Sequence, residues 1–213
     1  MASPRTFSDL KNRERENRRN LIIDAAERVF ASKPFDGVNM RDIASEAGIS
    51  HATIYRYFPD QQALFVEAFL RGVRQVLPLI EEAVERNRDA PLDAAADAFI
   101  SFLSEKSHYF KMMTHFMLGG ELNPDLFEKL NTVGRLLLDQ FEGLFKGRGS
   151  VKENRILAHA FFASLNGVLI TFREFPGRSR EDVLRHMKML GRVIAGLFEH
   201  GMERRGSEIE GRR

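Results

Sequence analysis

The chain has 213 residues, 43% of them hydrophobic, and a net charge of +2 from 32 Lys and Arg against 30 Asp and Glu. That is room for one large domain or two small ones, and too apolar a composition for a disordered protein. It contains no cysteine, which excludes disulfide scaffolds, Cys-ligated zinc, iron–sulfur clusters and thiol catalysis.

The longest largely apolar run, Phe161 to Phe172, is interrupted by Ser164 and Asn166 and is too short to span a bilayer. The first twenty residues hold no apolar stretch of the secretory type. The expectation is a soluble, cytoplasmic protein with no membrane partner. Residues 1–58 hold ten Lys/Arg against eight Asp/Glu, an excess of two that accounts for the whole net charge. An anionic partner and a merely solvated charged arm both fit that pattern.

Helical periodicity runs almost throughout. Leu21, Ile22, Ala25, Ala26, Val29 and Phe30 recur at three-to-four spacing and predict a first helix over about residues 13–32, behind a flexible arm of residues 1–12. Pro34 and Gly37 close it. Asn39 with Asp42 reads as a capping box opening a short helix that Gly48 breaks; Ser50 caps the next, which Pro59 ends. Asp60 opens a long helix with a kink at Pro78, and Pro91 suits the first turn of the one after. A short helix from Tyr109 to Leu118 ends at Gly119-Gly120. Asn123-Pro124 opens a helix to about Phe145, Ser150 with Glu153 another to about Glu174, and Ser179 with Asp182 a last one to about Arg204. No segment alternates with a two-residue period. The predicted fold is all-α with about nine helices: a three-helix domain over 13–59, a larger helical domain over 60–205 and a disordered tail over 206–213.

Residues 39–58, NMRDIASEAGISHATIYRYF, have the helix-turn-helix plan. Ala44 and Ala47 are small enough for the helices to cross, Gly48 suits the positive φ of the turn, and Ile43, Ile49, Ile54 and Phe58 can fill the core beneath. Ser50, His51, Thr53, Tyr55, Arg56 and Tyr57 are left wholly or partly outward. A helix so furnished fits the major groove of DNA. On spacing alone, an ordinary helical hairpin with exposed aromatics fits equally well.

The longer run LIIDAAERVFASKPFDGVNMRDIASEAGISHATIYRYFPDQQALFVEAF resembles the N-terminal domain of the TetR (tetracycline-repressor-like) family of bacterial transcription regulators, continuously from about Leu21 to Phe69. The resemblance implies a helix-turn-helix DNA-binding domain followed by a ligand-binding and dimerisation domain. It makes His51, Ala52, Thr53 and Tyr55 groove-facing, Arg41 a base or phosphate contact, and Tyr57 a phosphate contact. Two positions depart from the family pattern: His51 and Gln61 stand where lysines are common, and the Gln61 lysine binds phosphate. Its loss implies a shallower salt dependence, with Arg18 and Arg19 as compensating cations.

Twelve of the eighteen Phe lie beyond position 98. Tyr109, Met112, Met113, Phe116 and Met117 share one helix face, which suits either plain core or a pocket for varied hydrophobic ligands. The family context extends that candidate ligand site to Phe99, Leu103, Phe162 and Asn166. His108 and His115, at i and i+7, are too far apart on one helix for a metal and read as a solvated face, so no metal site is expected. Arg155, His159, Phe162, Asn166 and Arg173 form a polar stripe that can face solvent, a partner subunit or the pocket, in that order of preference. Val183, Met187, Leu190, Ile194 and Leu197 repeat at heptad-like spacing, which in isolation fits intramolecular packing equally well. With Phe161 and Leu165 they are the expected homodimer interface, as the family resemblance implies for the last two helices.

The leading expectation is therefore a dimeric repressor that a small hydrophobic or aromatic effector releases from a palindromic operator. The alternative is a DNA-binding or interaction protein of the same fold that senses no small molecule. No Gly-rich phosphate loop, HExxH or nucleophile elbow is present, so neither catalysis nor a cofactor is expected.

Overall fold

The computed structural model describes residues 6–117, 123–147 and 150–210, without the side chains of Phe116 and of residues 202–210. Among the described residues there are nine α-helices and no strand: α1 (Phe7–Ser32), α2 (Met40–Glu46), α3 (His51–Ile54), α4 (Gln61–Arg86), α5 (Pro91–Glu105), α6 (Ser107–Met117), α7 (Pro124–Gly143), α8 (Val151–Phe172) and α9 (Arg180–Glu210). They divide between two compact units. The first holds residues 6–72 and the described residues of 107–130; the second holds 73–106 and the described residues from 131 onward.

In the first unit, α1 begins at Phe7 rather than near residue 13. The Thr6 hydroxyl accepts a hydrogen bond from the Asp9 amide and the Asp9 carboxylate accepts one from the Thr6 amide, a capping box that replaces the expected flexible arm; residues 1–5 lie outside the described ones. The apolar half of α1 buries Ile22, Ile23, Ala25, Ala26, Val29 and Phe30. Phe30 and Phe35, the latter in a single 3₁₀ turn over Phe35–Gly37, pack edge-on against Phe65 of α4 at 4.9 and 4.6 Å between ring centroids. Asn39 and Asp42 cap α2 as the sequence predicts, and Gly48 takes φ +67° in the turn to α3.

The boundary of this unit does not fall at residue 59. The first three turns of α4, all of α6 and the start of α7 belong to it, and ion pairs explain why. Glu67 of α4 binds Arg19 of α1 at 2.8 Å and also Lys129 of α7. Lys111 of α6 donates to the Ala31 carbonyl at 3.0 Å, placing a cation on the last turn of α1, which has no basic residue of its own. His115 stacks against Phe35 with centroids 4.5 Å apart, and His108 approaches Glu27, so the two histidines line a packed face and not the solvated one expected.

The second unit is built around α5. Its small residues Ala94, Ala95 and Ala96 are buried, and Gly191 of α9 lets that helix come so close that an added Cβ would lie 2.9 Å from Ile100. Phe99, Phe141, Phe145 and Phe161 are almost completely buried and pack ring to ring, with Phe162 and Phe198 at the edge of the cluster. Capping boxes or caps at Ser150 and Ser179 start α8 and α9 where predicted. The backbone of α9 stays helical to Glu210, through a stretch in which only Gly206 opposes good helix formers, so residues 206–210 are not the disordered tail expected; residues 211–213 lie outside the described ones.

Helix α8 is 22 residues long and, on length and composition alone, apolar enough to cross a membrane, which a count of its uninterrupted apolar residues missed. Yet Asn154 and Asn166 are buried in protein, and Arg155 is ion-paired to Asp139 and Glu142 of α7. Arg173, just past the helix, donates to the Leu103 carbonyl at 2.7 Å, and burial pushes its guanidinium below its ordinary pKa. Of the polar stripe of α8, Asn166 is thus buried, Arg155, Phe162 and Arg173 are half-buried and His159 is exposed.

Candidate nucleic-acid interface

The expected recognition helix is shorter than its sequence suggested. Only His51–Ile54 is α-helical. The amides of Arg56 and Tyr57 then bond back three residues, to Thr53 and Ile54, so the segment tightens into a turn that ends at buried Phe58. Ile54 and Phe58, both nearly inaccessible, pin it from below.

Above them, Ser50, His51, Ala52, Tyr55 and Arg56 are exposed, and Thr53 and Tyr57 half-exposed. Arg41, two residues past the Asn39 cap, is exposed as well. The His51 and Tyr55 rings meet edge to face with centroids 5.0 Å apart, so each limits the other's rotamers. The Ser50 hydroxyl accepts from the Thr53 amide and lies 2.8 Å from the Thr53 hydroxyl. Ser50 is therefore a helix cap first, and the outward chemistry falls to His51, Ala52, Thr53, Tyr55 and Arg56.

Gln61 has a definite job here. Its amide nitrogen donates to the Phe35 carbonyl at 2.9 Å and ties the start of α4 to the 3₁₀ turn. Arg19 cannot stand in for the missing lysine, because it is paired with Glu67 and stacked 4.9 Å over the Phe58 ring. Arg18 is exposed. Hydrogen bonds with the Tyr57 hydroxyl and with Glu14 hold its guanidinium above its ordinary pKa.

The other predicted sites fare differently. Tyr109, Met112 and Met113 are buried in the first unit, whereas Phe99, Leu103, Phe162 and Asn166 belong to the second. Met117 is exposed, and the Phe116 side chain lies outside those described, as do Leu118 and Gly119-Gly120. Among the expected interface residues, Phe161, Leu165, Val183 and Met187 are buried within the protomer, Leu190 and Ile194 half-buried, and only Leu197 exposed. These helices carry two apolar faces, and the bulkier one turns inward. The outward face shows Ile156 and Ile170 on α8 and Met189, Val193 and Leu197 on α9, each more than half exposed. Among the described residues, no group of three His, Asp or Glu side chains is placed to hold a metal.

A three-helix head with a small-residue crossing, a positive-φ glycine and an outward polar turn defines the helix-turn-helix class. Residues 22–68 match the family model described as bacterial regulatory proteins, tetR family. Residues 22–68 are thus a TetR-family N-terminal domain. It is 27% identical over 101 residues to the HTH-type transcriptional activator FasR of Mycolicibacterium smegmatis, a match covering 46% of either chain. It is 25% identical over 158 residues to the fatty acid metabolism regulator protein of Bacillus subtilis, covering 71% of this chain and 81% of that one. The match thus spans about half the length of FasR and most of the Bacillus protein. The fold is that of the transcriptional regulator FadR from Bacillus subtilis solved in complex with stearoyl-CoA, with a TM-score of 0.67 at 20% identity, covering 82% of this chain and 96% of that one.

Proposed function

We propose that the protein is a cytoplasmic transcriptional regulator that binds duplex DNA as a homodimer and is released from a palindromic operator by a small hydrophobic effector. The observation that carries the reading is the recognition turn: His51, Ala52, Thr53, Tyr55 and Arg56 project outward from a rigidly capped, well-buried support within the segment that matches the family model. A hydroxyl, a methyl, an imidazole and a guanidinium suit base edges and phosphates of the major groove. The exposed ridges of α8 and α9 support dimerisation, since Ile156, Ala160, Ala163, Gly167 and Ile170 recur at heptad spacing on one side of α8. Two recognition turns about 34–36 Å apart would then read half-sites one DNA turn apart.

For the effector, the aromatic interior of the second unit and the stearoyl-CoA bound to the FadR neighbour favour a long-chain acyl compound. A hundredfold release requires about 2.7 kcal/mol of differential affinity. One observation favours the effector-free alternative: Phe99, Phe141, Phe145 and Phe161 fill the second unit with their own rings.

Selection of binding sites from random duplex DNA tests the first part, and enrichment of a palindrome is the expected result. Adding stearoyl-CoA to the selected complex tests the second. Dissociation supports the effector reading, and an unmoved complex across acyl-chain lengths favours the alternative.

A further inference from the structure

The first three turns of α1 bury nothing. Every residue from Phe7 to Arg18 is exposed, and the match to the family model begins only at residue 22. A charged helix of that length is marginal by itself in water, and here it is held by the Thr6 cap, the Glu14–Arg18 pair and its continuity with the buried half. Lys11, Arg15 and Arg18 fall at i, i+4 and i+7, so they share one side over about 10 Å. That side faces the end of the recognition turn. Lys11, Arg15, Arg18, Arg56 and Tyr57 line a single open groove of about 450 Å³, in which Glu14 is the one acid.

Glu14 is taken up by Arg18, which lines the groove together with Tyr57 of the opposite wall. No carboxylate pairs with Lys11, Arg15 or Arg56 among the described residues. Three uncompensated cations in a concave site create a strong local potential for an anion. The anion is defined by what the groove adjoins: Arg56 and Tyr57 belong to the segment read as the DNA contact, so the strand lying over that segment runs into the groove. Lysine, arginine and tyrosine at the flank of a recognition element are phosphate ligands that position without reading sequence.

We propose that the exposed start of α1 is a second DNA contact, in which Lys11 and Arg15, with Arg18 and Arg56, grip backbone phosphates beside the recognition turn. The proposal rests on the DNA-binding reading and extends it to residues outside the matched domain. It also supplies the positive charge that Gln61 and the engaged Arg19 do not.

The test uses the full chain and two probes, a duplex recovered by selection with the wild-type protein and a mixed-sequence duplex of equal length, titrated by fluorescence anisotropy at several salt concentrations. Each phosphate contact contributes about 0.9 to the slope of log affinity against log salt. The double variant K11Q/R15Q is expected to make that slope shallower by about 1.8 for each protomer bound, to weaken both duplexes by the same factor, and to leave the ratio between them unchanged. Glu14→Gln, which removes the groove's one acid, is expected to tighten binding to both. Circular dichroism confirms that these exposed positions leave the fold intact. A wild-type slope in K11Q/R15Q would overturn the proposal, and so would a changed ratio between the duplexes, which would assign base contacts to α1. If the wild-type protein bound neither duplex, the DNA-binding reading itself would fall and this proposal with it.

Discussion

The Tyr109 hydroxyl donates to Glu27 Oε1 at 2.6 Å, joining residues 82 positions apart, and its ring passes there because residue 72 has no side chain. Arg71 completes the arrangement, binding Glu27 at 2.7 Å and Asp24 at 2.6 Å. Burial works against its charge, but the hydrogen bonds and charges of Glu27 and Asp24 outweigh that and hold Arg71 above its ordinary pKa. One carboxylate of α1 thus fastens both α4 and α6 within the unit that carries the helix-turn-helix.

At Gly72 the contact is unusually close: an added Cβ would lie 2.6 Å from Cδ1 and 2.7 Å from Cγ of Tyr109, rigid ring atoms that cannot swing aside. Alanine in a helix interior normally gains about 0.5–1 kcal/mol over glycine. Here overpacking, at about 1–3 kcal/mol, is the larger effect. Gly72→Ala is therefore expected to lower the urea midpoint at constant m-value, and a raised midpoint would remove the close approach from this account.

Tyr109 also makes stability depend on alkaline pH. Burial, then the hydrogen bond and charge of Glu27, push its phenol above the ordinary value of 10.0. The folded state therefore holds that proton more tightly than the unfolded chain does. The resulting stability is complete below pH 10 and is lost as pH rises beyond it, because the unfolded phenol ionises first. In urea titrations, the advantage of wild type over Tyr109→Phe is expected to shrink steadily above pH 10 and to stay constant between pH 7 and 9. A constant difference at every pH would contradict the assignment.

Much of the fold was legible because its signals are local. The caps at Asn39, Ser50 and Ser150 and the turn glycine Gly48 need only neighbours, and each is found in place. The Thr6–Asp9 box was equally local and was obscured by the surrounding charge. What the sequence could not convey was long-range. The pairing of Glu67 with Lys129, or of Glu27 with Arg71 and Tyr109, leaves no periodic trace, so nothing local in the sequence assigns α6 to the first unit. Helices α8 and α9 failed in another way: periodicity reports that a face is apolar and does not say which of two apolar faces turns inward.

That ambiguity yields a discriminating pair of variants. Val193→Arg with Leu197→Glu puts charges on the outward ridge and is expected to give a folded monomer by light scattering, with unchanged helix content. Phe161→Ala empties a completely buried site and is expected to destabilise the protomer by about 3–5 kcal/mol. A double variant that remained dimeric would move the interface elsewhere on the molecule.

On the proposed recognition turn, Tyr55→Ala is expected to abolish preference for the selected duplex while leaving the oligomeric state untouched, since Tyr55 is exposed and its one ring partner among the described residues is His51. Ser50→Ala removes the cap of a four-residue helix at a cost of about 1 kcal/mol, so it should weaken binding through disorder of the turn. Cooling would restore part of the affinity of the serine variant and none of the preference lost with Tyr55. Equal recovery in both would mean that Tyr55 acts through folding and not through contact with DNA.

Asn166 separates the two readings of the second unit. It is almost fully buried, its amide nitrogen donates to the Phe162 carbonyl at 2.8 Å, and its Oδ1 is buried with no hydrogen-bond partner among the described residues. An unsatisfied buried acceptor costs about 1–3 kcal/mol, whereas a leucine of similar size carries no such penalty. Asn166→Leu is therefore expected to match or exceed the wild-type melting temperature, although most core substitutions lower it. If the acceptor is kept to anchor an effector, the same variant will hold its operator duplex in the presence of stearoyl-CoA while the wild-type protein lets go. Release from both proteins would exclude Asn166 as the anchor, and a lower melting temperature would show that its amide is satisfied in the folded chain.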